Sequence, residues 1–171
     1  MSKSGEIKNL SNLVKPDIGI ITNVGEAHIE NFNNLNEIAK AKSEIIANIK
    51  NGGFLILNKD DKYFNYFLKI AKKKKIKVLS FGINKKSDAY LVKNKKYKNY
   101  NFLHLKILNK NIFLKAKNIN PLTIFNILSS LLTLSLLNLD LSKIKNLTNF
   151  FNSVEGRGKK YIIKRLSLIH I

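Results

Sequence analysis

Leu35, Ile38, Lys42, Ile45 and Ile49 follow one another by three or four residues, so on a helix they share one face. That face should turn to the core, and it carries one ammonium in its middle. Three readings are open for Lys42. The stem can lie on the apolar surface with the charge reaching water. The charge can meet a buried anion, or chemistry can remove it. A second candidate is the loop Thr22-Asn-Val-Gly-Glu-Ala-His28, which follows an apolar run. His28 there reads first as a plain loop imidazole, with a metal ligand or a general base as the functional alternatives. Asn58-Lys-Asp-Asp61 closes a second apolar run and reads as a turn with a helix cap, or as polar ligands. Gly156-Arg157-Gly158 holds one of only two arginines, between glycines that let backbone approach a ligand. No Gly-x-x-x-x-Gly-Lys-Ser/Thr or Gly-x-Gly-x-x-Gly occurs in the chain.

The elements that must position these residues alternate. Asp17–Thr22 predicts a strand buried on both faces, and Leu35–Lys50 a helix ended by Asn51-Gly52-Gly53. Phe54–Leu57 predicts a second strand. A helix from Asp60 and Asp61 to about Lys75 follows, with Lys72–Lys75 as its solvated end. Lys77–Phe81 predicts a third strand. This order is that of an α/β fold with a mostly parallel sheet flanked by helices. Loops at the carboxyl ends of its strands are where a site belongs. From Ser87 to Lys115 the period becomes alternation, which predicts a small antiparallel β appendage. Pro121 opens an apolar helix to about Asn138, too short and too interrupted for a membrane span. A further helix is predicted over Leu141–Phe151.

The 171 residues carry a formal charge of +20. That balance is the footprint of a nucleic-acid binder. Yet 29 lysines stand against 2 arginines, beside 24 asparagines and 23 isoleucines. Arginine is the usual residue for bidentate phosphate and guanine contacts. Lysine, asparagine and isoleucine are the residues of A+T-rich codons, so the charge reads first as genome composition. Aromatics interleaved with lysine in Tyr63–Lys77 and Lys93–Lys106 keep a Lys-rich nucleic-acid-binding module as a rival. With no cysteine, disulfides and thiolate zinc sites are excluded.

Several segments, in order, resemble the Mur ligases. They are Met1-Ser-Lys-Ser-Gly-Glu-Ile7, Pro16–His28, Ile38-Ala-Lys-Ala-Lys-Ser-Glu-Ile45, Gly52–Asp61 and Gly156-Arg-Gly158. The first and last favour the branch that adds D-alanyl-D-alanine to UDP-N-acetylmuramoyl-tripeptide. The resemblance covers about residues 1–163 and is poor across 85–118. It implies an ATP-dependent, Mg²⁺-requiring amide ligase of cytoplasmic peptidoglycan synthesis, monomeric at full length. No nucleic-acid or membrane partner is implied. A substrate carboxylate would take the γ-phosphate of ATP, and the amine of D-alanyl-D-alanine would attack the acyl phosphate. His28 matches the family's Mg²⁺-binding histidine, and Lys42 the lysine that becomes a carbamate and helps organise the metal. Asn23 falls in the loop motif with His28. Asn58 and Asn126 lie where family residues contact the nucleotide, and Arg157 where an arginine reaches it.

The family also implies a P-loop-like domain, and here the sequence departs from it. The phosphate loop and acidic metal ligand that should precede Met1 do not occur. Asn120-Pro-Leu122 stands where the family has Gly-x-His. Arg165–Ile171 matches nothing expected after Tyr161. Residues 1–155 therefore read as a partial central ATP-binding domain, and 156–171 as a linker with a truncated start of a C-terminal domain. The free chain is expected to lack ligase activity. A folylpolyglutamate-type or other Mur-type ligase is the alternative with the same ATP chemistry.

Overall fold

The computed structural model describes residues 3–25, 29–117, 119–141 and 144. His28, Arg157 and most of the helix predicted over 141–151 lie outside the described residues. The elements are α1 (Glu6–Val14), β1 (Ile18–Ile21), α2 (Leu35–Ser43), β2 (Phe54–Asn58), α3 (Phe64–Lys73) and β3 (Lys77–Gly82). They continue with β4 (Ala89–Lys96), β5 (Asn101–Ile107), β6 (Lys110–Ala116) and α4 (Pro121–Leu136). The six strands among the described residues form one sheet in chain order. β1 to β4 run parallel, and β4, β5 and β6 antiparallel. The antiparallel part is continuous with the rest, because β4 joins β3 through Phe81↔Ala89 and Gly82↔Tyr90.

Alternation along the strands explains the two-sided core. Leu55 and Leu57 pack with Ala39, Ile46, Phe67 and Ala71, from the helical connections on one face. Ile56 and Phe81 pack with Ile124, Leu128 and Leu132 of α4. Each leucine, isoleucine or phenylalanine among them contributes about 1.5–3 kcal/mol by leaving water. Asn120 caps α4 by accepting from the Thr123 N–H at 2.8 Å, and Pro121 takes the first turn, where no N–H is needed.

Four local expectations are corrected. Among the described residues β1 is an edge strand with β2 as its one partner, so Ile20 is 38% exposed rather than buried. The α-helical bonding of α2 stops at Ser43, and Glu44–Asn48 continues as a 3₁₀ segment. Lys74, inside the lysine run read as solvated, donates to the carbonyls of Ile46, Ala47 and Ile49. It thus satisfies groups left free at the end of that 3₁₀ segment. Asp60 and Asp61 do not sit at the start of α3, which begins at Phe64 without a side-chain cap. Their carboxylates reach sideways to neighbouring strand ends. Asp60 accepts from the Ile83 N–H at 2.5 Å, and Asp61 from the Val24 N–H at 2.7 Å. Gly82 is required by the first contact, since a Cβ there would lie 2.5 Å from Asp60 Oδ2.

Candidate functional site

The carboxyl ends of β1, β2 and β3 are tied together through the end of β2. Asp61 Oδ2 accepts from Val24 beyond β1, while Asp61 Oδ1 accepts from the Tyr63 N–H at 2.8 Å. Asn58 Oδ1 accepts from the Asp60 N–H at 3.0 Å, which closes the turn between them. The residue is buried, 5% exposed, and lies apart from the side chains that line the two clefts below.

Lys42 stands beside the same strand end. Its Nζ donates to the Asn23 carbonyl at 2.7 Å. Burial pushes its pKa down, and the nearby Asp61 carboxylate opposes that shift. The stem lines a cleft of about 210 Å³ with Ile7, Ile20, Ile21, Thr22 and Ile45. Snorkelling therefore describes half of the arrangement, because the stem is apolar-packed but the ammonium ends on a backbone oxygen.

A second cleft, about 230 Å³, opens on the other side of Thr22. Thr22, Asn23, Leu122, Phe125 and Asn126 line it. The fold so brings together Asn23 from the β1 loop and Asn126 from α4, 103 positions apart in sequence. Two carboxamides beside an aromatic ring can bind a flat, polar-edged ring system. Phe125 is itself braced edge-on by Phe81, with centroids 6.2 Å apart. Among the described residues, no three of His, Cys, Asp and Glu converge to hold a metal.

Glu44 is a residue that spacing alone did not single out. Its carboxylate accepts from the Ser4 hydroxyl at 3.0 Å, the Gly5 N–H at 2.7 Å and the Lys8 N–H at 3.1 Å. An anion thus sits on the exposed N–H groups that open α1. Glu44 and Gly5 belong to two of the short motifs noted above, so their joint occurrence carried the signal.

The model of the Mur ligase middle domain matches residues 1–134. The chain belongs to the Mur ligase family. Over 93 residues this Mur ligase domain is 40% identical to the UDP-N-acetylmuramoyl-tripeptide--D-alanyl-D-alanine ligase of Rickettsia prowazekii, covering 54% of this chain and 21% of the relative. A crystal structure of MurF from Acinetobacter baumannii superposes with a TM-score of 0.82 at 21% identity, over 96% of this chain and 36% of that one. MurF from Thermotoga maritima in complex with ADP gives 0.77 at 23% identity, over 95% and 37%. This Mur ligase domain therefore spans about a fifth of that curated relative and just over a third of the solved chains. Among its described residues, no helix is long and apolar enough to cross a membrane.

Proposed function

We propose that this chain is the nucleotide-handling part of a ligase that joins D-alanyl-D-alanine to UDP-N-acetylmuramoyl-tripeptide at the expense of ATP. The observation that carries the reading is Lys42, half-buried at the carboxyl end of β1 and one loop away from the Asn23–Asn126 cleft. The relatives' names supply the substrates, and the ADP complex of the Thermotoga enzyme supports the nucleotide.

The two groups the reaction needs can be weighed against the residues present. The Asn23–Asn126 cleft is smaller than a whole-ligand pocket and suits one ring system of a nucleotide. Asn23 and Asn126 would bond its edges, and Asn58 would act through the turn it closes at the end of β2. By the family resemblance Arg157 would reach the nucleotide. For Mg²⁺, an unmodified Lys42 offers no ligand. A carbamate offers two hard oxygens of the kind Mg²⁺ takes. Burial favours the neutral amine, whose nitrogen forms a bond to CO₂ while one N–H proton leaves to solvent. Carbamylated Lys42 and His28 would then hold the metal, which supplies charge neutralisation for the transferring phosphoryl group.

The test is phosphate release by the full-length ligase. It should require both UDP-N-acetylmuramoyl-tripeptide and D-alanyl-D-alanine. Equal release with glutamate as acceptor would place the chain in the folylpolyglutamate class instead. With ¹³C-bicarbonate, the wild type should show a carbamate carbon that Lys42→Ala lacks. If Lys42→Ala keeps full activity and the signal is the same in both, the Lys42 assignment fails.

A further inference from the structure

One peptide group is held from both of its polar ends. The Asn23 carbonyl accepts from Lys42 Nζ at 2.7 Å, and the next atom pair along the chain, the Val24 N–H, donates to Asp61 Oδ2 at 2.7 Å. These are the C=O and the N–H of the same Asn23–Val24 peptide. They point in opposite directions across a trans bond, and no cis peptide occurs among the described residues. The cation meets the negative end of the peptide dipole and the anion meets the positive end. Rotating the plane by half a turn would bring carbonyl to carboxylate and N–H to ammonium, reversing both contacts. Both bonds are charge-assisted and short.

We propose that Lys42 and Asp61 form a single clamp on the Asn23–Val24 peptide, and that Asp61 is a positioning residue for the site. The clamp sets the direction in which the chain leaves β1, hence the aim of Asn23. Its second oxygen holds Tyr63 at 2.8 Å, and Tyr63 in turn donates its hydroxyl to Asn36 Oδ1 at 2.7 Å, before the middle of α2. The carboxylate is therefore braced from the side away from the loop. Carbamylation of Lys42 would keep one N–H on Nζ, so the hold on the Asn23 carbonyl is compatible with the proposed chemistry. Asp61 touches neither substrate cleft.

This inference rests on the ligase reading only for its catalytic consequence, and the experiment separates the two. The full-length enzyme is labelled with ¹⁵N-valine, and amide exchange at Val24 is compared in wild type, Asp61→Asn, Lys42→Met and the double variant. Asparagine keeps one acceptor oxygen without charge, so it serves Val24 or Tyr63 but not both. Val24 exchange should quicken about tenfold in Asp61→Asn. The double variant should exchange no faster than about twice the faster single one, because both side chains act on one peptide. In the ligation assay Asp61→Asn should lower kcat about tenfold with less than a twofold change in KM for ATP. Unchanged Val24 exchange in Asp61→Asn overturns the clamp, as does full multiplication of the single effects. Quickened exchange with unchanged kcat removes the positioning role. Absence of ligation in the wild type sinks the functional reading alone, since the exchange result stands without it.

Discussion

The two halves of the sheet use charge in opposite ways. Around β1, β2 and β3, nearly every charged side chain named above has a specific polar partner far away in sequence. Glu44 reaches Gly5, Asp61 reaches Val24, Asp60 reaches Ile83, and Lys42 and Lys74 end on backbone carbonyls. Across β4, β5 and β6 the sequence from Ala89 to Lys117 has eight lysines and no acidic residue. Its inner face is Leu103, Leu105, Ile107, Ile112 and Leu114, buried under α4, while Phe102, His104, Phe113 and lysines occupy the outer one. Those lysines lie over aromatic rings at best, as Lys95 over Tyr97 at 5.2 Å and Lys115 over Tyr100 at 5.4 Å. Charge placed by contact and charge carried by composition thus sit side by side in one sheet. The +20 total says nothing about which is which.

The contrast can be broken or sharpened by substitution. The largest effect is expected at Lys42. Lys42→Ala in the full-length ligase should lower phosphate release about 10²–10³-fold, while Lys95→Ala stays within about twofold of wild type. Next comes packing. Phe81→Ala, at a side chain with no exposure where β3 meets β4, should cost about 3–5 kcal/mol in urea unfolding. Phe113→Ala, at a ring 51% exposed, should cost less than about 1 kcal/mol.

Glu44→Gln should cost about 1–2 kcal/mol and speed amide exchange at Gly5 and Lys8, because the anion leaves the α1 terminus. A smaller effect concerns pH. Lys42 has a lowered pKa when folded, so between that value and the ordinary 10.5 the unfolded chain binds more protons. Stability contributed by this site should rise as pH climbs through that interval. Lys42→Met should flatten the rise in a pH series of thermal melts. The smallest effect is expected where lysines are most numerous. Replacing Lys93, Lys95, Lys106 and Lys115 together with Gln should move unfolding free energy by no more than about 0.5 kcal/mol per site. A loss of several kcal/mol there would erase the distinction between the halves.

The fold was largely legible in the chain. Period-two and period-3.6 patterns located β1 to β3 and α2 to α4 to within a few residues, while α1 was not singled out, and the turn of pattern at Ser87 marked the stretch where the sheet becomes antiparallel. The 3₁₀ segment after α2 was not legible, since the same apolar spacing serves either helix. Of the candidate residues, Lys42 was readable from its place on an apolar stripe. Asn23 and Asn126 were marked by family resemblance, and their shared cleft needed the packing of α4 across β2 to β5. Asp60 and Asp61 misled, because a carboxylate before a helix has the same local spacing whether it caps that helix or reaches a neighbouring strand.

What the sequence determined by itself was therefore local. It set which stretches pair or coil, which faces are apolar, and which lysine is out of place. Tertiary structure decided the partners of the charges. Glu44 with Gly5 and Asp61 with Val24 join residues 39 and 37 positions apart. Such contacts depend on the order of strands in the sheet and on the register between them. A hydrogen bond is short and directional, so a shift of one residue in that register would carry the same side chains out of reach.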